Sequence, residues 1–185
     1  MYICFPNTRI RAVELLLCAV AIGGCGRVIS LDYEPINTVK GEGPVEIAPF
    51  QYQAFDEHRV RARQVETNPA ARTDLFLSQE ISSFLTEALR KELIRAGYSQ
   101  KESSTLTVSG SISRFYIDWK TGANRVFELN VAYVIRSQEG TLFTWNCSSA
   151  QKGPDTLVQD GILIRKATAD CMQRFLRAAQ EAKVL

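Results

Sequence analysis

The chain has one histidine and two methionines in 185 residues, and no excess of either charge. A single imidazole excludes a three-histidine zinc centre. A Ser-His-Asp site would have to be built around His58, which lies between acidic and basic neighbours in a polar stretch that reads as solvated surface. Also missing are a phosphate-binding glycine loop, a dinucleotide fingerprint, an HExxH pair and a CxxC pair, the short motifs that announce common chemistries. Asp155 and Asp160 come nearest to an acid and base pair. They flank the start of a helix, where carboxylates favour the macrodipole, so capping is the expected role. No catalytic residue, metal or cofactor is therefore assigned, and a hydrolase is the least favoured reading.

Charge and length add further exclusions. Lys and Arg number 22 against 20 Asp and Glu, for a net charge of +2. Taking away Arg9, Arg11 and Glu14 with the first 24 residues leaves 20 basic against 19 acidic groups. That balance speaks against nucleic acid as a partner, since such binders carry a strongly basic face. The hydrophobic fraction is 45% and the charged fraction 23%, an ordinary globular composition long enough for one compact domain.

Long apolar runs are scarce as well. The run Leu15–Ile22 is too short to cross the roughly 30 Å hydrocarbon layer, which takes about 20 apolar residues in a helix. Arg9 and Arg11 precede it, and Gly23, Gly24 and Cys25 follow. The order basic, apolar, small is that of an export signal, and against a lipoprotein leader the alternatives are an ordinary secretory leader or a buried N-terminal helix.

The boundary Ile22-Gly23-Gly24-Cys25 resembles the lipobox of bacterial lipoproteins. The resemblance implies cleavage between Gly24 and Cys25, a diacylglycerol on the Cys25 thiol and an acylated new amino terminus. Several acyl chains, at about 0.8 kcal/mol per buried methylene, would hold the protein stably on a membrane. Gly26, where aspartate would signal inner-membrane retention in the enterobacterial sorting rule, implies delivery to the outer membrane, facing the periplasm.

The rest of the chain divides by periodicity. Residues 25–43 hold Pro35, Gly41 and Gly43 with little pattern, as a flexible tether would. A single domain is expected over 44–185. Val45–Phe50 alternates and reads as an edge strand, because Pro49 has no N–H to give a central ladder. Residues 51–73 look like a long surface excursion. From Ser78 to Ala96, Ile81, Phe84, Leu85, Ala88, Leu89 and Leu93 fall at helical spacing, with Ser78 as cap, Gly97 as stop, and a Glu87 to Lys91 pair on the polar face.

Leu106, Val108, Gly110 and Ile112 then alternate, and Phe115, Ile117 and Trp119 alternate in the opposite phase. A bulge near Ser113-Arg114 would keep both halves facing the core. A second strand carries Phe127 to Ile135 and a third carries Phe143, Trp145 and Cys147, joined as an antiparallel meander. Thr156 and Gln159 suggest a capping box for a last helix whose stripe includes Ile164, Thr168, Cys171 and Phe175. The expected fold is α+β: a two-layer sandwich with two helices on one face of a mostly antiparallel sheet of about four strands.

Two further features bear on function. Cys147 and Cys171 both fall on core-facing stripes and could bridge in an oxidising compartment, with two separate buried thiols as the alternative. Arg59, Arg61 and Arg63 alternate, so in an extended backbone they would share one face. Such a row suits phosphate or an acidic partner, although a solvated edge that resists strand pairing is the commoner use.

Three phrases carry a wider likeness: Val45–Phe50, the helix phrase Leu85-Thr-Glu-Ala-Leu-Arg-Lys-Glu-Leu-Ile-Arg-Ala-Gly-Tyr98, and Leu106-Thr-Val-Ser-Gly-Ser-Ile112. With the terminal helix they resemble the YajG-like outer-membrane lipoproteins and, more distantly, the auxiliary lipoproteins of lipid-transport ABC systems. The first likeness implies a non-enzymatic interaction or assembly factor with a periplasmic or membrane protein partner. The second implies a subunit handling lipid or lipopolysaccharide, which would need an apolar groove between helices and sheet.

Overall fold

A computed structural model describes residues 26–68, 73–102, 104–119, 124–154 and 157–185. Its elements are β1 (Arg27–Ile29), β2 (Pro44–Ile47), β3 (Gln51–Tyr52), α1 (Gln53–Asp56), β4 (Gln64–Thr67) and β5 (Leu75–Leu77). They continue with α2 (Ile81–Ala96), β6 (Ser99–Gln100), β7 (Leu106–Asp118), β8 (Asn124–Ser137), β9 (Gly140–Pro154) and α3 (Leu157–Glu181).

The three long strands form the expected meander, β7 antiparallel to β8 and β8 to β9. The change of apolar phase is resolved by a register shift between Ile112 and Arg114, which leaves Ser113 unpaired in a bulge. Ile112, Phe115 and Ile117 are consequently all buried on one face. Glu66 Oε1 accepts the N–H of Phe115 at 3.0 Å, close to where the ladder is interrupted.

The sheet is larger and more mixed than the sequence suggests. Among the described residues it has nine strands, and β2, β3 and β4 line up in succession along the other edge of β7, each parallel to it. Pro49 explains the break between β2 and β3: Ala48 N–H still bonds Val108 O at 2.9 Å, and the next residue has no N–H to offer. Alternation marked Val45–Phe50 but not β3 or β4, which are too short to show a period of two and are fixed by β7 more than 40 residues downstream, and β2 is no edge strand, being paired with both β6 and β7.

Both long helices cover the buried sheet face. The predicted stripe of α2 is buried at Ile81, Phe84, Leu85, Ala88, Leu89 and Leu93, and that of α3 at Ile164, Thr168, Cys171 and Phe175. Tyr133 and Phe175 stack with ring centroids 4.3 Å apart, and Phe115 meets Phe127 edge-on at 4.9 Å. Each such buried ring contributes roughly 1.5–3 kcal/mol of transfer free energy. Among the described residues these rings and the two helical stripes belong to one buried core between helices and sheet.

Helix ends differ in detail from the sequence reading. α2 starts at Ile81 with Glu80 at the N-cap position, while Ser78 N–H bonds Ile29 O at 2.9 Å. Gly97 stops the helix as expected, at φ 108°, with Tyr98 N–H returning to Leu93 O. Glu87 pairs with Arg90 rather than Lys91, which is drawn away to Asp32. Thr156 and Asp155 lie outside the described residues. Asp160 forms a buried ion pair with Arg125 of β8.

The expected tether is the main correction. Over residues 26–43, β1 pairs in parallel with β5, and Leu31, Tyr33 and Asn37 are buried. Low periodicity and scattered Pro and Gly look the same in a linker and in a segment laid across helices. Only the distant residues it touches tell them apart.

Candidate functional site

Two features could serve function: the segment from Leu31 to Gly41, which straps the helices, and the sheet edge where that segment begins. The strap is organised by Glu92, a carboxylate on the apolar side of α2 with no solvent exposure. Glu92 accepts the Tyr33 hydroxyl, the N–H groups of Ile36 and Asn37 (each 3.1 Å) and the Asn37 side-chain amide. A buried carboxylate is tolerable only when its acceptor sites are filled in this way. Burial pushes the Tyr33 hydroxyl far above its ordinary pKa, and the bond to Glu92 pushes it the same way, so the phenol remains a donor.

Around this centre the bonds are shared between both helices. Lys91 Nζ donates to Asp32 Oδ1 (2.9 Å) and Tyr33 O (3.0 Å), and that hydrogen bond holds the Asp32 carboxyl below its usual range. Arg95 Nε donates to Asn37 O at 3.1 Å, and Gln173 Nε2 of α3 to Ile36 O at 3.3 Å. Gly41 N–H ends the strap on Ala96 O at 2.8 Å. Beside it runs an open groove of about 490 Å³, lined by Asp32, Glu34 and Ile36 of the strap and by Arg165, Lys166 and Ala169 of α3. Its mixed charges suit a polar protein surface better than a hydrocarbon chain.

The sheet edge begins one residue after Cys25. A Cβ at position 26 would lie 2.6 Å from Phe76 Cε2, so a larger residue there would have to displace that half-buried ring. Arg27 N–H bonds Asp74 O at 2.9 Å, and Val28 is 67% exposed in register with Phe76. The Arg61 guanidinium stands 5.9 Å from the Phe76 ring centroid.

The structure separates the three arginines of the predicted row. The backbone there is a short helix followed by turns, with His58 at φ 58°, and strand geometry resumes only at Gln64. Arg59 is bound to Glu57 (2.7 Å) and Glu66 (2.6 Å), while Arg61 and Arg63 are exposed beside β5. His58 is exposed in the turn after α1. Gly24 and Cys25 lie outside the described residues.

Cys147 and Cys171 form a disulfide between β9 and α3, with Cα atoms 5.6 Å apart. Arg174 Nη2 donates to Ser148 O at 2.6 Å beside it. Sequence reasoning missed the Glu92 centre, although a signal was present: Glu92 follows Leu85, Ala88 and Leu89 at helical spacing on the apolar stripe. A carboxylate in that position needs a buried partner.

No family model and no curated protein matches the chain. Solved structures do. Protein XCC0632 from Xanthomonas campestris, of the DUF330 family model, is similar with a TM-score of 0.65 at 8% identity, over 85% of this chain and 99% of that one. The hypothetical protein CT253 from Chlamydia trachomatis has a TM-score of 0.50 at 8% identity, over 74% and 96%. A minor lipoprotein from Acinetobacter baumannii also matches, with a TM-score of 0.43 at 12% identity, over 76% and 92%. At these identities the likeness to the first two extends to the fold alone.

Proposed function

We propose that this chain is a lipid-anchored, non-enzymatic interaction or assembly module of the bacterial cell envelope, held by acylated Cys25 on the periplasmic face of the outer membrane. The observation that carries this reading is that the chain is docked on the sheet from the residue next to that cysteine, with Gly26 seated on Phe76 and Arg27 bonded to Asp74. A domain cut and acylated at Cys25 would be fixed close to its lipid, with the strap and its charged groove presented to a protein partner. The lipobox-like boundary supplies the anchor, and Gly26 in place of aspartate supports outer-membrane delivery.

The YajG-like likeness belongs to this reading. The alternative is an auxiliary lipoprotein of a lipid or lipopolysaccharide transport system. It gains no support from the interior, where Phe84, Phe115, Phe127, Tyr133 and Phe175 fill the space that a lipid-holding groove would need. A subunit of that kind would work through contacts with an acidic or membrane-bound partner.

Replacing Cys25 tests the anchor. Cys25→Ser is expected to accumulate as an unprocessed precursor with no incorporation of labelled fatty acid. Continued labelling of that variant would refute the reading.

A further inference from the structure

The β1–β5 edge of the sheet combines features that the strap and the core do not use. Val28 is 67% exposed, the most exposed of the large apolar side chains in the structure. It lies in register with Phe76, whose ring is half-buried and covered on one side by Gly26 and approached on another by the Arg61 guanidinium. Arg27 precedes Val28 and Arg63 precedes Gln64, the partner of Phe76, so both lie one residue off the Val28–Phe76 row and leave the sheet on its other side, flanking the same edge. Among the described residues Arg27, Arg61 and Arg63 are all exposed and none is in an ion pair, whereas Arg59 close by is doubly paired. Asp74 is the acidic residue at the same edge.

From this juxtaposition we infer that the β1–β5 edge is a membrane-docking face, in which Val28 and Phe76 enter the interfacial layer and Arg27, Arg61 and Arg63 bind the phosphates of anionic phospholipid. The inference rests on the proposed anchoring at Cys25. One peptide step carries the chain about 3.8 Å from Cys25 to Gly26. The headgroup layer is only about 5–8 Å deep on each side of the bilayer. With no slack after the cysteine, its acyl chains hold this edge at headgroup depth. Guanidinium groups there meet phosphate as bidentate donors, and an exposed valine lies where apolar surface is favoured. The membrane then sees one fixed side of the domain, and the hairpin between β8 and β9 points away from it.

The two ends of the sheet provide the test. Leu142 is exposed and stands next to Phe143, which aligns through Ile135 with Val108 at one end of β7, while β4 meets β7 at Ile117. Through Phe76 and Gln64, Val28 is level with Arg114 of β7, five paired residues from Val108, so the two positions stand about 17 Å apart along the strands and on strands at opposite sides of β7. The acylated full-length protein carrying Val28→Trp or Leu142→Trp is reconstituted into vesicles of brominated phosphatidylcholine and phosphatidylglycerol. Tryptophan fluorescence is read against the parent protein.

The expected result is quenching for Val28→Trp and none for Leu142→Trp. Adding Arg27→Gln or Arg61→Gln to Val28→Trp should lower the docked-to-undocked ratio by about fivefold per arginine with anionic lipid. Without phosphatidylglycerol those additions should change nothing. Equal quenching at both positions, quenching at neither, or quenching indifferent to both arginines overturns the inference. Flotation and acyl incorporation are measured on the same samples. Protein that is acylated and floats without quenching at position 28 removes this inference alone, while protein that takes up no acyl chain removes the anchoring reading and this inference with it.

Discussion

The hydroxyl of Tyr33 donates to the carboxylate of Glu92 across 59 residues of sequence, with both groups buried. Through that pair, and the Asn37 bonds to the same carboxylate, a segment with the composition of a linker becomes part of the folded domain. Glu92→Ala would strand the Tyr33 hydroxyl and the Ile36 and Asn37 donors. At about 1–3 kcal/mol for each buried unsatisfied group, and with partial relaxation, a loss of about 3 kcal/mol or more is expected in urea denaturation. Glu92→Gln, which keeps one acceptor oxygen, should lose less, and Tyr33→Phe about 1 kcal/mol. Equal stability of Glu92→Ala and the parent would show that the strap adds nothing to the fold.

Gly97 joins the end of the strap to the end of α2. Its φ of 108° disfavours any side chain, and a Cβ there would lie 2.5 Å from Gly41 O. Gly97→Ala is therefore expected to cost about 1–3 kcal/mol, seen as a lower melting temperature. Limited proteolysis should cut that variant earlier in the strap than elsewhere. Cleavage with an unchanged pattern and rate would argue against the coupling.

The disulfide between Cys147 and Cys171 spans a sequence separation of 24. Closing a loop of that size stabilises by about 3 kcal/mol in the chain-entropy view. Paired replacement, Cys147→Ala with Cys171→Ala, should lower the urea midpoint accordingly. The parent should show the same drop under reducing conditions, and the paired variant should be indifferent to reductant. A parent protein insensitive to reductant would contradict the bridge.

Alkaline pH should unfold the domain cooperatively. Burial raises the pKa of Tyr33, Tyr52 and Tyr133 above the ordinary 10.0 in the folded state. Because these hydroxyls hold their protons more tightly folded than unfolded, their stabilising effect is complete below pH 10.0 and declines as the unfolded chain begins to ionise above it. Denaturant midpoints measured from pH 8 upward should be flat and then fall beyond about pH 10. Tyr33→Phe should make the fall less steep, and an unchanged slope would show that Tyr33 ionises as easily folded as unfolded.

The local sequence determined the elements whose pattern is longer than their surroundings. Period 3.6 marked α2 and α3, period two marked β7 to β9, and the change of phase at Ser113 located the bulge, because in each case neighbours in the chain share one environment. The stop at Gly97 was legible for the same reason, since a left-handed residue is a local demand. The lipobox-like boundary at Cys25 is likewise a linear signal.

Tertiary structure alone decided the docking of Arg27–Gly41, the parallel pairing of β2, β3 and β4 on β7, and the use of Glu92. It also divided the arginine row, holding Arg59 between Glu57 and Glu66 and leaving Arg61 beside Phe76. Short strands and irregular segments carry no period of their own, and their hydrogen bonds are completed by groups tens of residues away. The identity of those groups exists only once the chain has folded.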